Sequence, residues 1–112
     1  MEKVSESTVN AAEPADGVFL KLLAGGEKGN LQHYRIEPGA AVPEDTHENE
    51  QIGYLLQGTK MFVVDGEEMV IEPGDSYAIP AGVPHESKNP GDVPVIGVEV
   101  FCPPREAGDW PE

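Results

Sequence analysis

The sequence predicts an all-β domain, a small sandwich or barrel, from three features. Short apolar runs follow one another at intervals of about 8 to 12 residues, as the strands of such folds do. The chain has 13 Gly and 11 Pro among 112 residues, and they separate the apolar runs without a period of their own. No segment keeps a 3.6-residue apolar period, so we expect almost no helix. The length allows one small core and therefore one domain.

The apolar runs predict about nine strands, of which these are the clearest: Val18–Leu23, Leu31–Ile36, Ile52–Gln57, Lys60–Val64, Glu68–Ile71, Ser76–Ile79, Val83–Lys88 and Val93–Cys102. Asp65-Gly66 predicts a tight hairpin turn, because both central positions of that turn take positive φ. The last run is apolar on both faces, which is typical of a strand in the middle of a sheet. Tyr54, Phe62 and Tyr77 are expected to line the interior.

The first 16 residues are polar and acidic, and we interpret them as an N-terminal arm. This arm is expected to be flexible or to exchange as an edge strand with a second subunit, and residues 17–112 to form the barrel. A homodimer is expected, because a small sheet must cover its exposed edges.

The chain is strongly acidic, with 7 Lys and Arg against 21 Asp and Glu and a formal net charge of −14. Such a surface repels nucleic acid phosphates and anionic membranes, which disfavours both as partners. It resembles proteins of salt-loving archaea that keep concentrated salt in the cytoplasm, where the repulsion is screened. An ordinary acidic protein is the alternative.

A cytoplasmic location is expected from the single cysteine and the character of the chain's start. Cys102 excludes an internal disulfide and suits a reducing compartment. The beginning of the chain has no basic segment followed by an apolar one, so it does not resemble a signal peptide. No run of about 18 apolar residues is present.

Two spaced motifs occupy the middle of the chain. The first is Gly39-(five)-Asp45-Thr46-His47-(three)-Gln51-(six)-Gly58, and the second is Gly74-(five)-Pro80-Ala81-Gly82-(two)-His85-(three)-Asn89. Residues two apart in an extended strand share a face, which would place Asp45, His47, Asn49 and Gln51 together if the segment is extended. His85 follows a rigid proline-rich turn that would fix its position.

These residue types predict a metal site. Two imidazoles and one carboxylate are the ligands of a facial triad, the arrangement of non-haem iron sites. His47, His85 and Asp45 would supply them, and Gln51 could add a neutral oxygen. A third histidine, His33, falls outside both motifs and is interpreted as an ordinary strand residue.

The two motifs, with 15 residues between them, resemble the conserved motifs of the cupin family, in particular its small single-domain barrels. The resemblance covers roughly residues 31–110 and implies a jelly-roll barrel, also called a double-stranded β-helix, with a divalent metal ion. Asp45 stands where the family usually has its first His, and Gln51 where it usually has Glu. These two substitutions leave the choice of metal open.

One subgroup is closer than the rest. Glu50–Gly58 resembles small cupins of pectin and uronate degradation, in which two His, a Gln and a late His bind metal. By that resemblance His47, Gln51 and His85 carry over, whereas Asp45 and Asn49 depart from the pattern. The terminal segment Pro103–Trp110 also resembles the subgroup's ending, and Trp110 is expected to cover the barrel mouth or an interface.

The identity of the metal depends on Asp45. A carboxylate in place of a His lowers the charge of the site by one and favours oxygen-preferring Mn(II) or Fe(II), with Ni(II) and Zn(II) as the other candidates. A degenerate site without metal is the alternative.

The segment that carries the first motif is acidic. Between Arg35 and Lys60 there is no Lys or Arg, but there are five acidic residues: Glu37, Glu44, Asp45, Glu48 and Glu50. The rim of the barrel mouth should therefore be negative. A negative rim disfavours an anionic ligand such as a uronate, unless the metal, Arg35 or Arg105 compensates for the charge. We therefore expect a neutral or cationic small molecule.

Three functions remain open on the sequence alone. They are a metal-dependent enzyme acting on a small sugar-like or polar metabolite, a module that binds a small ligand without turnover, and a barrel that has lost its metal. A fold of this kind hosts many reactions, so fold alone does not choose among them.

Overall fold

A computed structural model describes residues 1–106 and confirms the all-β jelly roll. Its strands are β1 (Ala12–Ala15), β2 (Val18–Gly25), β3 (Asn30–Ile36), β4 (Ala41–Asp45), β5 (Glu50–Gln57), β6 (Lys60–Val64), β7 (Glu67–Ile71), β8 (Ser76–Ile79), β9 (His85–Lys88) and β10 (Val95–Cys102). The helical structure in this part of the chain is one 3₁₀ turn, Glu6–Thr8. No helix in residues 1–106 is long and apolar enough to cross a membrane.

The strands form two antiparallel sheets. Six strands pair in the order β1-β2-β3-β10-β5-β8, and four pair in the order β4-β9-β6-β7. The chain crosses between the sheets at several connections, and two of these crossings lie at the motif residues. One runs from β4, which ends at Asp45, to β5, and the other runs from β8 to β9, which begins at His85.

The core lies between the sheets and is built from alternate residues of each strand. Val18, Tyr34, Ile36, Leu55 and Val95 are almost completely buried. The strand β10 lies between β3 and β5, which confirms that the last apolar run is central. The alternation fixes which side chains enter the interior, since neighbouring strand residues face opposite sides.

The structure differs from the sequence predictions at two strands. β4 was not among the predicted strands, and β1 was predicted only as an exchanged edge strand of the arm, because Ala-Val-Pro-Glu-Asp and Ala-Glu-Pro-Ala carry proline and acidic residues that disfavour strands. In this single chain β1 pairs with β2, and its exchange with a second subunit stays a prediction. Tyr54 was expected inside but is 46% exposed, because the alternation of β5 turns it outward. Trp110 lies outside the described residues.

Candidate metal centre

The site forms where the two sheets meet. Asp45 and His85 are direct partners across β4 and β9. His47 lies in the connection from β4 to β5, and its backbone carbonyl accepts a hydrogen bond from the Gly82 N–H at 2.8 Å, which ties the first motif to the turn of the second. Gln51 enters from β5 and is buried.

The segment from Asp45 to Gln51 is not one extended strand, so the condition for its alternate residues to share a face is not met. The chain leaves β4 at Asp45 and joins the other sheet at Glu50, so residues 46–49 form an irregular crossing. Even so, Asp45, His47 and Gln51 converge. Asn49 points elsewhere, and its amide donates a hydrogen bond to the Pro103 carbonyl.

The predicted ligand residues lie close together. One ligating atom each from Asp45, His47 and His85 fall within 4.8 Å of one another. The two imidazole rings are edge to face, with centroids 4.8 Å apart. Gln51 Oε1 lies 3.2 Å from His47 Nε2. The arrangement presents two ring nitrogens and two kinds of oxygen to one small volume.

Both histidines have their Nδ1 atoms engaged by backbone carbonyls. His47 Nδ1 lies 2.9 Å from the Asn49 carbonyl, and His85 Nδ1 lies 2.9 Å from the Val83 carbonyl. A carbonyl oxygen only accepts, so each Nδ1 carries the proton. In the neutral ring Nε2 then keeps its lone pair, and this tautomer is the one that binds metals through Nε2.

One contact at the centre calls for a cation. Gln51 Nε2 donates to Glu99 Oε2 at 2.8 Å, which turns Gln51 Oε1 toward His47 Nε2. When His47 is neutral, the lone pairs of its Nε2 and of Gln51 Oε1 face each other across 3.2 Å, and no proton lies between the two atoms. Burial lowers the pKa of His47, and the nearby Arg105 and His85 lower it further, so a proton is disfavoured. A metal ion satisfies both acceptors, and these residues fit one.

Asp45 is shared with an arginine that comes from the far end of the chain. Its Oδ2 accepts a hydrogen bond from Arg105 Nη2 at 2.6 Å, and its Oδ1 accepts one from the Thr46 N–H at 2.9 Å. Arg105 is only 5% exposed, and Asn30 holds its backbone through two hydrogen bonds. The negative charge of Asp45 is therefore balanced at the site itself.

Behind Gln51 lies a buried polar network centred on Glu99. Its Oε1 accepts a hydrogen bond from the Tyr77 hydroxyl at 2.8 Å and lies 3.3 Å from Lys60 Nζ. The Tyr34 hydroxyl is 3.0 Å from that of Tyr77. Burial and the neighbouring Glu99 raise the pKa of both tyrosines, which keeps their hydroxyls protonated as donors.

Two glycines give the two tyrosines room to enter this network. Gly97 is the cross-strand partner of Tyr34, and Gly53 is the partner of Tyr77. A Cβ at either glycine would lie 2.2 Å from the facing tyrosine side chain. Each ring therefore lies over its glycine, a close approach that explains the glycines inside β5 and β10.

A cavity of about 50 Å³ lies among these groups, enough for roughly three or four water-sized molecules. Its lining includes Asp45, Gln51, Lys60, His85 and Arg105. Three of the four candidate metal ligands, Asp45, Gln51 and His85, thus face the same space as the buried Lys60.

Sequence reasoning identified the histidines, Gln51 and Asp45, and it missed the network behind them. Glu99 is the one acidic residue in an otherwise apolar strand, at an inward position between Gly97 and Phe101. Lys60 begins β6 at an inward position two residues before Phe62. A charge at an inward position of an apolar strand is the signal that could have found both.

Comparison with known proteins agrees with the fold. The tetracenomycin polyketide synthase protein TcmJ of Streptomyces glaucescens is 29% identical over 114 residues. The match covers 95% of this chain and 76% of that protein. The HTH-type transcriptional regulator PuuR of Escherichia coli is 32% identical over 79 residues, but this chain spans only 43% of its length.

A solved structure shares the fold of this chain. KdgF from Halomonas sp. superimposes with a TM-score of 0.85 at 21% identity, covering 96% of this chain and 97% of that one, and this shows a shared fold. The cupin domain model matches residues 32–101, which include both histidines of the site and most of the barrel. This chain therefore belongs to the cupin domain family.

Proposed function

We propose that this cupin binds a divalent metal ion through His47, Gln51 and His85, with the carboxylate of Asp45 as a fourth ligand. The observation that carries the proposal is the cluster of ligating atoms from Asp45, His47 and His85 within 4.8 Å of one another, beside which Gln51 Oε1 lies 3.2 Å from His47 Nε2. When bound, a metal of this kind supplies Lewis acid chemistry to a small molecule beside it.

The donor set narrows the choice of metal. Two imidazoles, an amide oxygen and a carboxylate suit Mn(II) or Fe(II), and also accept Ni(II) or Zn(II). Arg105 offsets the charge of Asp45. Because the two charges cancel, the site carries little net negative charge, which favours a metal ion that does not need a strongly negative site.

The ligand we propose is a small, neutral or cationic polar molecule. The cavity has a volume of about 50 Å³, and the positive charge of Arg105 in its lining is already paired with Asp45. Exposed carboxylates lie within the first motif, at Glu44, Glu48 and Glu50. Together these features disfavour a large anionic substrate.

An enzyme acting on a small sugar-like or polar metabolite is one form of this proposal. The polyketide synthase role in the name of TcmJ supports it. A binding module without turnover would use the same residues. A screen of small polar metabolites against the metal-loaded protein separates the two, because only the enzyme consumes its ligand.

Metal analysis of the purified protein tests the proposal. The wild type should retain about one metal ion per chain, whereas His47→Ala and His85→Ala should lose most of it, because each removes one ligand. His33→Ala is the matched control, since His33 lies on β3 away from the site, and it should keep the metal. Unchanged metal content in both site variants would overturn the proposal.

A metal-free cupin is the alternative, and the Arg105–Asp45 ion pair favours it, since a cation already lies 2.6 Å from the carboxylate. Arg105→Gln distinguishes the two readings. If the site binds metal, the variant should bind it more tightly, because Asp45 is released. If the ion pair has replaced the metal, the variant should stay metal-free and lose stability.

We further propose a cytoplasmic homodimer. The outward side of β5 is apolar, and Ile52, Tyr54 and Leu56 are exposed there, with Val100 beside them on β10. Such a surface on a chain of net charge −14 suits contact with a second copy. Tyr54→Glu should then yield monomers by light scattering. A chain starting at Gly17 that keeps the dimer mass would exclude exchange of the arm.

We also propose that the protein comes from a cytoplasm rich in salt. Its excess of carboxylates predicts that the thermal midpoint rises as KCl increases from about 0.1 M to about 2 M, because self-repulsion is screened. The uncharged osmolyte sucrose is the control for general exclusion effects. A midpoint that does not depend on KCl would favour an ordinary acidic protein.

A further inference from the structure

The amide of Gln51 can point two ways, and only one of them serves a metal. With Oε1 toward His47 it offers an oxygen ligand, and with the NH₂ group there it offers none. In this structure Oε1 faces His47 Nε2 at 3.2 Å and Nε2 faces Glu99 Oε2 at 2.8 Å. The question is what holds this orientation.

Glu99 determines the orientation because an ionised carboxylate only accepts hydrogen bonds. It attracts the NH₂ group of Gln51 and repels its oxygen. Glu99 is itself only 4% exposed. A buried carboxylate needs a positive partner or several donors to stay charged.

Lys60 and Tyr77 meet that need. Lys60 Nζ lies 3.3 Å from Glu99 Oε1, and the Tyr77 hydroxyl donates to the same oxygen. Lys60 is 2% exposed, and its ammonium lies 3.8 Å from the centre of the Tyr34 ring and 4.3 Å from that of Phe62. The rings confine the ammonium and contribute cation–π attraction.

A buried ion pair of this kind is a weak source of stability, because apolar residues of similar volume often stabilise a core as well or better. Its value lies in fixing the geometry of its neighbours. We propose that Lys60 and Glu99 are positioning residues, which fix the Gln51 amide with its oxygen toward the metal. This inference rests on the proposed function, since the orientation matters only where a metal takes that oxygen.

The main test is the double variant Lys60→Met/Glu99→Gln, read out with Co(II). It removes both charges while keeping the side-chain sizes, so no unpaired charge is left in the core. The amide introduced at position 99 can present either its oxygen or its nitrogen to Gln51, and the orientation is no longer fixed. We expect the Co(II) affinity to fall about 10- to 100-fold and the ligand-field spectrum to change. Lys88→Met, at an exposed lysine, is the matched control.

A rescue separates positioning from a general loosening of the barrel. Adding Gln51→Glu to the double variant puts an oxygen at both terminal positions of side chain 51. Its orientation then no longer matters, and most of the Co(II) affinity should return. A loosened barrel would not be repaired by this change. Tyr77→Phe is the milder variant for use if the double variant does not fold. It removes one donor to Glu99 and should produce a smaller loss with the same spectral change.

The outcomes distinguish this inference from the proposal beneath it. Wild-type affinity and spectrum in a folded double variant, or no recovery with Gln51→Glu, would overturn the positioning role and leave the metal centre intact. A wild-type protein that takes up no Co(II) would overturn both.

Discussion

The two motifs of this cupin have different structural roles, although each contributes residues to the same candidate site. The first crosses between the sheets and supplies Asp45, His47 and Gln51 from an irregular connection and the strand ends on either side. The second supplies only His85, and its other residues hold the backbone. Asn89, the last residue of the second motif, is 1% exposed and follows the end of β9, the strand that His85 begins.

The hydrogen bonds of Asn89 show what the second motif does. Its amide donates to the Ile36 and Val93 carbonyls at 2.9 and 2.8 Å, and its oxygen accepts from the Gly91 N–H. It thereby joins the end of β3 to the turn before β10. The comparison teaches that the motif with the more family-like sequence secures the fold, while the altered motif contributes three of the four proposed metal ligands.

Asn89→Ala should give the largest effect. It leaves buried carbonyls without donors, and we expect a loss of about 3 kcal/mol in the free energy of unfolding. Denaturant titration measures the loss. Metal content per folded molecule should not change, because no ligand is touched.

The exposed Asn10 provides the control, and Asn10→Ala should alter stability very little. If Asn89→Ala instead strips the metal from protein that remains folded, the division of labour between the motifs is wrong.

The strands and the candidate ligand residues could be predicted because both give local signals in the sequence. Alternation identifies the strands, and spacing identifies His47 and His85. The contact between Arg105 and Asp45 could not be predicted, since the two residues are 60 positions apart and meet only through the tertiary fold. Glu99 was hidden in the same way, because its partners Lys60 and Gln51 come from other strands.

The crossing between β4 and β5 also could not be predicted from the sequence. A continuous strand and a strand that breaks at residue 46 have the same residue pattern, and only pairing with β9 on one side and β10 on the other separates them. The sequence therefore predicted which residues lie together but not how the chain brings them together.

Asp45→His sharpens the comparison by restoring the usual histidine of the first motif. If Asp45 is a ligand, the change should shift the preference from Mn(II) toward Zn(II) by about tenfold, because imidazole suits Zn(II) better than carboxylate does. Competition titrations with the two metals measure the ratio.

Glu44→His is the matched control, because Glu44 is adjacent to Asp45 and exposed. A ratio that is the same in all three proteins would show that Asp45 serves Arg105 and not the metal.

The smallest expected effect is a dependence on pH that comes from His47. Its pKa is lowered from the ordinary 6.5, chiefly by burial, so the folded protein binds fewer protons than the unfolded chain just below that pH. Stability of the metal-free protein should therefore decrease as the pH falls through about 6.5 toward the lowered pKa, and metal uptake should persist to a lower pH than an exposed histidine would allow.

His33 provides the internal comparison, because burial also lowers its pKa but it lies outside the site. His47→Gln should reduce the slope of stability against pH and abolish metal uptake, whereas His33→Gln should reduce the slope alone. Unfolding midpoints and metal uptake measured from about pH 8 to about pH 5 give both quantities. A His33→Gln variant that also loses metal would mean that the outer face of the sheet is coupled to the site, against the separation of roles described above.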